Sequence, residues 1–138
     1  MTKTLFIVNA ILMTIIVALV WSHKANAAES YNFDHVELVY TIDGDTVKVN
    51  IPWVHQILGK RINIRVKDID ADEIRPKAKA TRRSFEARSF VQSALSSAKK
   101  ISLQQCERGK YFRLACEVWY DGKSIGQELL SKGLADAL

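Results

Sequence analysis

The acids and arginines of this sequence fall into groups that could work together on one anion. Asp43 and Asp45 flank Gly44 at a tight turn, and Asp70, Asp72 and Glu73 follow the strand-like run that carries Arg65. Carboxylates drawn from separate loops suit a hard divalent cation, because calcium and magnesium take oxygen ligands and relieve the repulsion between crowded like charges. The same acids also have an ordinary reading, since aspartate is common at turns for its hydrogen bonds to the backbone. Arginine changes the weighing. Arg65 stands five residues before Asp70 and eight before Glu73, and Arg113 opens a later strand-like run. Two guanidinium groups can clamp a phosphate through bidentate hydrogen bonds and stabilise the charge that grows on it during reaction. By periodicity alone, each arginine is an outward-facing strand residue paired to nearby acids.

Those residues need a frame. Val36, Leu38 and Tyr40 alternate along a strand over residues 35–40, and Thr46 to Ile51 reads as its partner, with the hairpin signal Asp43-Gly44 between them. Pro52 closes the second strand, and Trp53 to Lys60 reads either as a partly buried flap or as an exposed apolar patch. Ile62, Ile64 and Val66 alternate with Asn63, Arg65 and Lys67, which puts Arg65 on the wet face of a strand. Asp68 to Thr81, dense in charge and holding Pro76, reads as a loop. Ala87, Phe90, Val91, Ala94, Leu95 and Ala98 recur at steps of three and four, the stripe of a helix that packs on a sheet. Ile101 and Leu103 begin a strand toward Cys106, residues 108–112 turn, and Leu114, Cys116, Val118 and Tyr120 alternate back. Ser124 to Lys132 reads as a short helix ending at Gly133. The expected fold class is mainly β with helices (α+β): a five-stranded OB-type Greek-key barrel, one helix between strands 3 and 4, and a short C-terminal helix.

The ends and the composition bound the setting. Lys3, an apolar run over residues 5–21 and Ala25-Asn26-Ala27 have the layout of a secretory signal peptide cleaved after Ala27, with an uncleaved membrane anchor over residues 5–21 as the rival. Either outcome implies an exported domain over residues 28–138, periplasmic or secreted. The leader carries Lys3 and Lys24 and no acid, which leaves 18 basic and 15 acidic residues in the domain. So small a surplus permits a polyanionic partner without demonstrating one. Cys106 and Cys116 fall opposite each other on the last hairpin, and in an exported chain they read as a disulfide rather than a zinc site. His35 and His55 stand alone and read as ordinary surface or satisfied histidines.

Four segments, in order, resemble the motifs of the staphylococcal nuclease family: residues 42–47 (IDGDTV), 64–73 (IRVKDIDADE), 110–115 (KYFRLA) and 133–135 (GLA). The resemblance implies a calcium-dependent hydrolase of phosphodiester bonds in DNA and RNA, with single-stranded or locally unpaired substrate favoured, acting as a monomer. It implies calcium ligands at Asp45, Asp70 and the backbone carbonyl of Ala71, with Asp43 supporting them. Glu73 matches the family's proposed general base, Arg65 and Arg113 its phosphate-contacting arginines, and Lys110 and Tyr111 its contacts to the nucleotide's terminal phosphate.

The match has departures. Asp72 stands where the family usually has proline, which is expected to add mobility and negative charge beside the metal site or to be a solvated carboxylate. Ala71 replaces a common threonine and should be tolerated if only its carbonyl binds. The sequence stops at Leu138, soon after the last motif, so weaker base stacking is expected without the family's downstream tyrosine and final helix. Two other functions compete. A non-catalytic OB-type nucleic-acid-binding module predicts loss of Arg65, Glu73 or Arg113, and all are present; a partner-binding exported domain is favoured only if Trp53 to Leu58 proves to be an exposed apolar patch.

Overall fold

A computed structural model of the protein describes residues 30–138. The leader expected over residues 1–27, with its apolar run, lies outside the described residues. Among those described, no helix is long and apolar enough to cross a membrane.

Alternating apolar residues build the main sheet from β1 (Tyr31–Phe33), β2 (Glu37–Asp43), β3 (Thr46–Asn50), β4 (Ile62–Val66), β6 (Ile101–Arg108), β7 (Leu114–Tyr120) and β8 (Lys123–Ser124). Its order is β1-β6-β7-β4-β3-β2, with β8 paired to β7. A second ladder joins β5 (Ile69–Asp70) to β9 (Asp136–Ala137). The helices are α1 (Gln56–Gly59), α2 (Arg82–Ser97) and α3 (Ile125–Ser131). The molecule is thus sheet-dominated α+β, with α2 between the third and fourth of the five strands expected from sequence. The ladder is open, however: β1 and β2 lie at its two ends, bridged by the Val36 N–H donating to the Ile101 carbonyl at 3.0 Å. The short strands β1, β5, β8 and β9 were not anticipated, because two or three residues carry no readable period. The charged segment expected to be loop from Asp68 to Thr81 contains β5 and a 3-10 turn at Lys77–Lys79.

One topological feature matters for the site. Neighbouring strands are antiparallel except β4 and β7, which run parallel with Ile64 opposite Leu114 and Arg65 opposite Ala115. A parallel pair requires a long crossover, and here the chain supplies it through α2 and β6.

The core lies between the sheet and the two longer helices, with Val47, Val49, Ile64, Val66, Leu103 and Val118 meeting Ala87, Val91 and Leu95 of α2 and Ile125 and Leu129 of α3. Each large side chain removed from water contributes about 1.5–3 kcal/mol. The α2 stripe is the one the sequence implied, with Phe90, Ala94 and Ala98 half-buried at its edges. A capping box starts the helix: Thr81 accepts from the Ser84 N–H while the Ser84 hydroxyl accepts from the Thr81 N–H, both at 3.0 Å. Gly133, at φ +67°, ends α3 with the Leu134 N–H donating to Leu129 and its own N–H to Leu130, the pattern of a Schellman cap.

One expectation needs correction. The alternation in β2 breaks at a bulge between Leu38 and Tyr40, so Tyr40 turns outward beneath Lys48 and Arg61 while Thr41 is fully buried. Of the two readings left open for the Trp53 connection, the exposed patch is the one found, with Trp53 at 74% and Ile57 at 80% exposure. Cys106 and Cys116 do form a disulfide, fully buried at the place where the β6–β7 register shifts.

Candidate active site

Asp45 is the buried centre of the site. It follows Gly44 at the tip of the β2–β3 hairpin, and Gly44 is needed for space rather than for an unusual backbone angle. A β-carbon there would stand 2.6 Å from the Ala87 β-carbon and 3.0 Å from that of Ala71. The turn therefore lies directly against α2 and the Asp70–Glu73 loop. Asp45 accepts from the Ala71 N–H at 2.8 Å and from the Thr46 hydroxyl at 2.9 Å. Asp43 accepts from the Ile74 N–H at 3.2 Å, so the turn grips that loop at both ends.

Arg65 projects from near the end of β4 and joins the two acidic segments. Its Nη1 lies 2.5 Å from Asp45 Oδ2 and its Nη2 2.6 Å from Asp70 Oδ1, with a longer bond of 3.4 Å from Nη2 to the Ile69 carbonyl. Partial burial works against the charge of Arg65, but hydrogen bonds and Coulomb attraction from Asp70 and Asp45 outweigh it and raise its pKa. A guanidinium has five N–H donors, so Arg65 keeps free donors for another oxyanion while holding both carboxylates.

Arg113 occupies the turn just before β7. The parallel register with β4 and the inward alternation of Leu114, Cys116 and Val118 put Arg113 on the same face as Arg65. It is half-buried, and its guanidinium makes no hydrogen bond or ion pair among the described residues. Glu73 is exposed, its carboxylate 3.9 Å from Lys79 Nζ, and it does not touch the Asp45–Arg65–Asp70 cluster. Lys110 and Tyr111 are exposed at the β6–β7 tip. Ala71 is buried, and its N–H rather than its carbonyl has the contact to Asp45.

The loop is anchored by partners that sequence spacing did not reveal. Asp72 is half-buried and accepts from the Thr81 hydroxyl at 2.6 Å, with Arg83 at 3.5 Å, so it ties the loop to the start of α2 instead of loosening it. Arg83 also pairs with Asp136 at 2.8 Å and donates to the Gly133 carbonyl at 2.9 Å. The hydrogen bond to Arg83 holds the Asp136 carboxyl below its ordinary value. Asp136 lies opposite Asp70 in the β5–β9 ladder, which clasps the acidic loop from its outer side. The capping pattern at Thr81 and Ser84 was the readable signal for this anchor.

Among the described residues, no three Asp, Glu, His or Cys side chains gather as a ready-made metal cage. Two carboxylates from separate segments nevertheless converge on the single cation of Arg65, and both supply hard oxygen donors. That donor set fits a hard divalent ion that retains much of its water. A groove of about 350 Å³ between the start of β2 and the end of α2, lined by His35, Leu38 and Gln92 among others, contains none of these residues.

A sequence profile described as "Staphylococcal nuclease homologue" matches residues 63–138. The chain is also similar to a protein named "Endonuclease YncB" from Bacillus subtilis (strain 168), at 32% identity over 116 residues, covering 82% of this chain and 51% of that protein. The chain thus spans about half the length of that relative.

Proposed function

Because the chain belongs to the family of staphylococcal nuclease homologues, we propose that it is a metal-dependent nuclease that hydrolyses phosphodiester bonds of DNA and RNA with low sequence specificity. The observation that carries this reading is the pairing of Arg65 with both Asp45 and Asp70, while Arg113, just before the adjacent parallel strand, has no side-chain hydrogen bond or ion pair among the described residues. Arg65 and Arg113 clamp the scissile phosphate and stabilise its extra charge as water adds. Glu73, exposed on the anchored loop, accepts a proton from that water. Asp45, Asp70 and the Ala71 carbonyl would hold the ion, with calcium our choice, and Asp43 fixes the loop through Ile74. When bound, the ion supplies Lewis-acid polarisation of a phosphoryl oxygen. Lys110 and Tyr111 meet the flanking phosphate, and contacts to phosphate, sugar and base faces give little sequence readout.

We extend the same reading to architecture and setting. The five longer strands correspond to an OB-type Greek-key barrel, and residues 28–138 form a monomeric domain exported by residues 1–27, which the Cys106–Cys116 bridge supports because disulfides persist in oxidising compartments. The exposed Trp53, Ile57 and Leu58 favour a protein-contact role beside catalysis, not in place of it, since Arg65, Glu73 and Arg113 are all retained.

The test is digestion of labelled single- and double-stranded DNA and RNA by the full chain with calcium, with magnesium and with chelator. Cleavage with calcium that stops with chelator is expected. Glu73→Gln should cut about a hundred- to a thousandfold more slowly while keeping its fold, the scale typical of losing one transition-state contact. Wild-type rates from that variant would remove Glu73 from its role.

A further inference from the structure

We propose that the tip of the β6–β7 hairpin is a stacking platform for an unpaired nucleobase, with Phe112 as its face and Arg108 behind it. The substrate class rests on the nuclease reading above. Tyr111 and Phe112 occupy the two central positions of a tight turn at φ +56° and +60°, closed by the Arg113 N–H donating to the Lys110 carbonyl at 3.2 Å. Turns of this kind normally take Asn-Gly, because a bulky side chain is strained at positive φ. Core packing does not hold these aromatics in place: Tyr111 is 92% exposed and Phe112 58%. Strain kept without burial points to a use outside the fold.

The surroundings of the ring define what it meets. The Arg108 guanidinium lies 5.3 Å from the Phe112 ring centre, and Lys110 and Arg113 add two more cations within the turn. Glu107, the nearest acid in sequence, is already paired with Lys67 at 2.6 Å. Aromatic faces among cations suit single-stranded nucleic acid, whose bases stack while its phosphates meet the charges; a duplex keeps its base faces covered. Arg113 follows Phe112 directly and lies beside the strand of Arg65, so a strand bound at the arginines has its neighbouring nucleotide within reach of the tip. The platform therefore selects unpaired substrate over duplex.

The experiment measures binding of the full chain, in chelator, to a fluorescein-labelled oligothymidylate and to an abasic strand of equal length and charge. Wild type should prefer the base-bearing strand by about fivefold to more than a hundredfold. Phe112→Gly should lose most of that preference without a lower unfolding midpoint, because glycine adopts positive φ freely. Phe112→Trp should retain it. A full preference in the Phe112→Gly variant, or none in wild type, overturns the platform. The two readings fail separately: a Phe112-dependent preference in a chain that does not cut with calcium defeats the nuclease reading alone, and cutting with a Phe112-independent preference defeats the platform alone.

Discussion

Replacing Arg65 with methionine keeps an unbranched apolar stem and removes the guanidinium that joins the two acidic segments. The side chains of Arg65, Asp45 and Asp70 are 25%, 3% and 60% exposed. The exposed pair with Asp70 is worth about 0.2–1 kcal/mol. Breaking a buried pair by removing one partner commonly costs about 3–5 kcal/mol, because the other charge stays buried. Asp45 retains its bonds from Ala71 and Thr46, and Arg65 is a quarter exposed, which places this pair nearer 2 kcal/mol. The total of about 2–3 kcal/mol is a large share of the roughly 5–15 kcal/mol that stabilises a domain. Urea unfolding at pH 7 followed by circular dichroism measures the loss, and the double variant Arg65→Met with Asp45→Asn should lose less than the two single variants combined. Calcium should restore more stability to Arg65→Met than it adds to wild type, since it enters a cluster that has lost the cation bridging Asp45 and Asp70. A loss below about 0.5 kcal/mol with an unchanged denaturant slope would refute the picture of Asp45 as a buried anion dependent on Arg65.

Gly44→Ala should cost about 1–3 kcal/mol and slow cleavage, because its methyl group drives the Asp45 turn away from Ala87 and Ala71; thermal unfolding and a cleavage assay check both effects. Replacing Cys106 and Cys116 together with serine should destabilise the fold by about 2.7 kcal/mol on the loop-entropy scale, read by urea unfolding against the oxidised wild type. Burial first, then the hydrogen bond and charge of Glu128, push the Tyr120 phenol up to about 12 from 10.0. The folded-state value is the higher one, so this stabilisation is complete below pH 10 and is lost as pH rises through 12. Absorbance at 295 nm should show one late-ionising tyrosine that disappears in Tyr120→Phe.

Legibility in the sequence followed the range over which each residue acts. The α2 stripe was readable because helical period is local, and the central strands because period two survives over five or more residues. The Asp45–Arg65–Asp70 cluster was suggested by residue type and order, yet its closeness depends on Gly44 pressing the turn against Ala87, a contact across more than forty positions. Tyr40 and Thr41 exchanged faces because a bulge shifts the period by one residue, and nothing in that run announces it. Neither reading of Asp72, added mobility or a solvated carboxylate, included its anchoring role, since its partners, Thr81 and Arg83, reach it only after α2 has folded back. Phe112 was hidden for a different reason: a large aromatic at positive φ goes against turn preference, so propensity pointed elsewhere. The two-residue strands β5 and β9 gain their meaning only by pairing with each other.

The claim on which the rest depends is that Asp45 and Asp70 form one cation site shared with Arg65. A crystal structure of the full chain grown in calcium, with an anomalous difference map, tests it directly. Expected is a peak about 2.3–2.6 Å from an oxygen of each aspartate, the ordinary calcium–oxygen distance. A map at saturating calcium with the ion bound elsewhere, and the Arg65 fork still closed on both carboxylates, would contradict it.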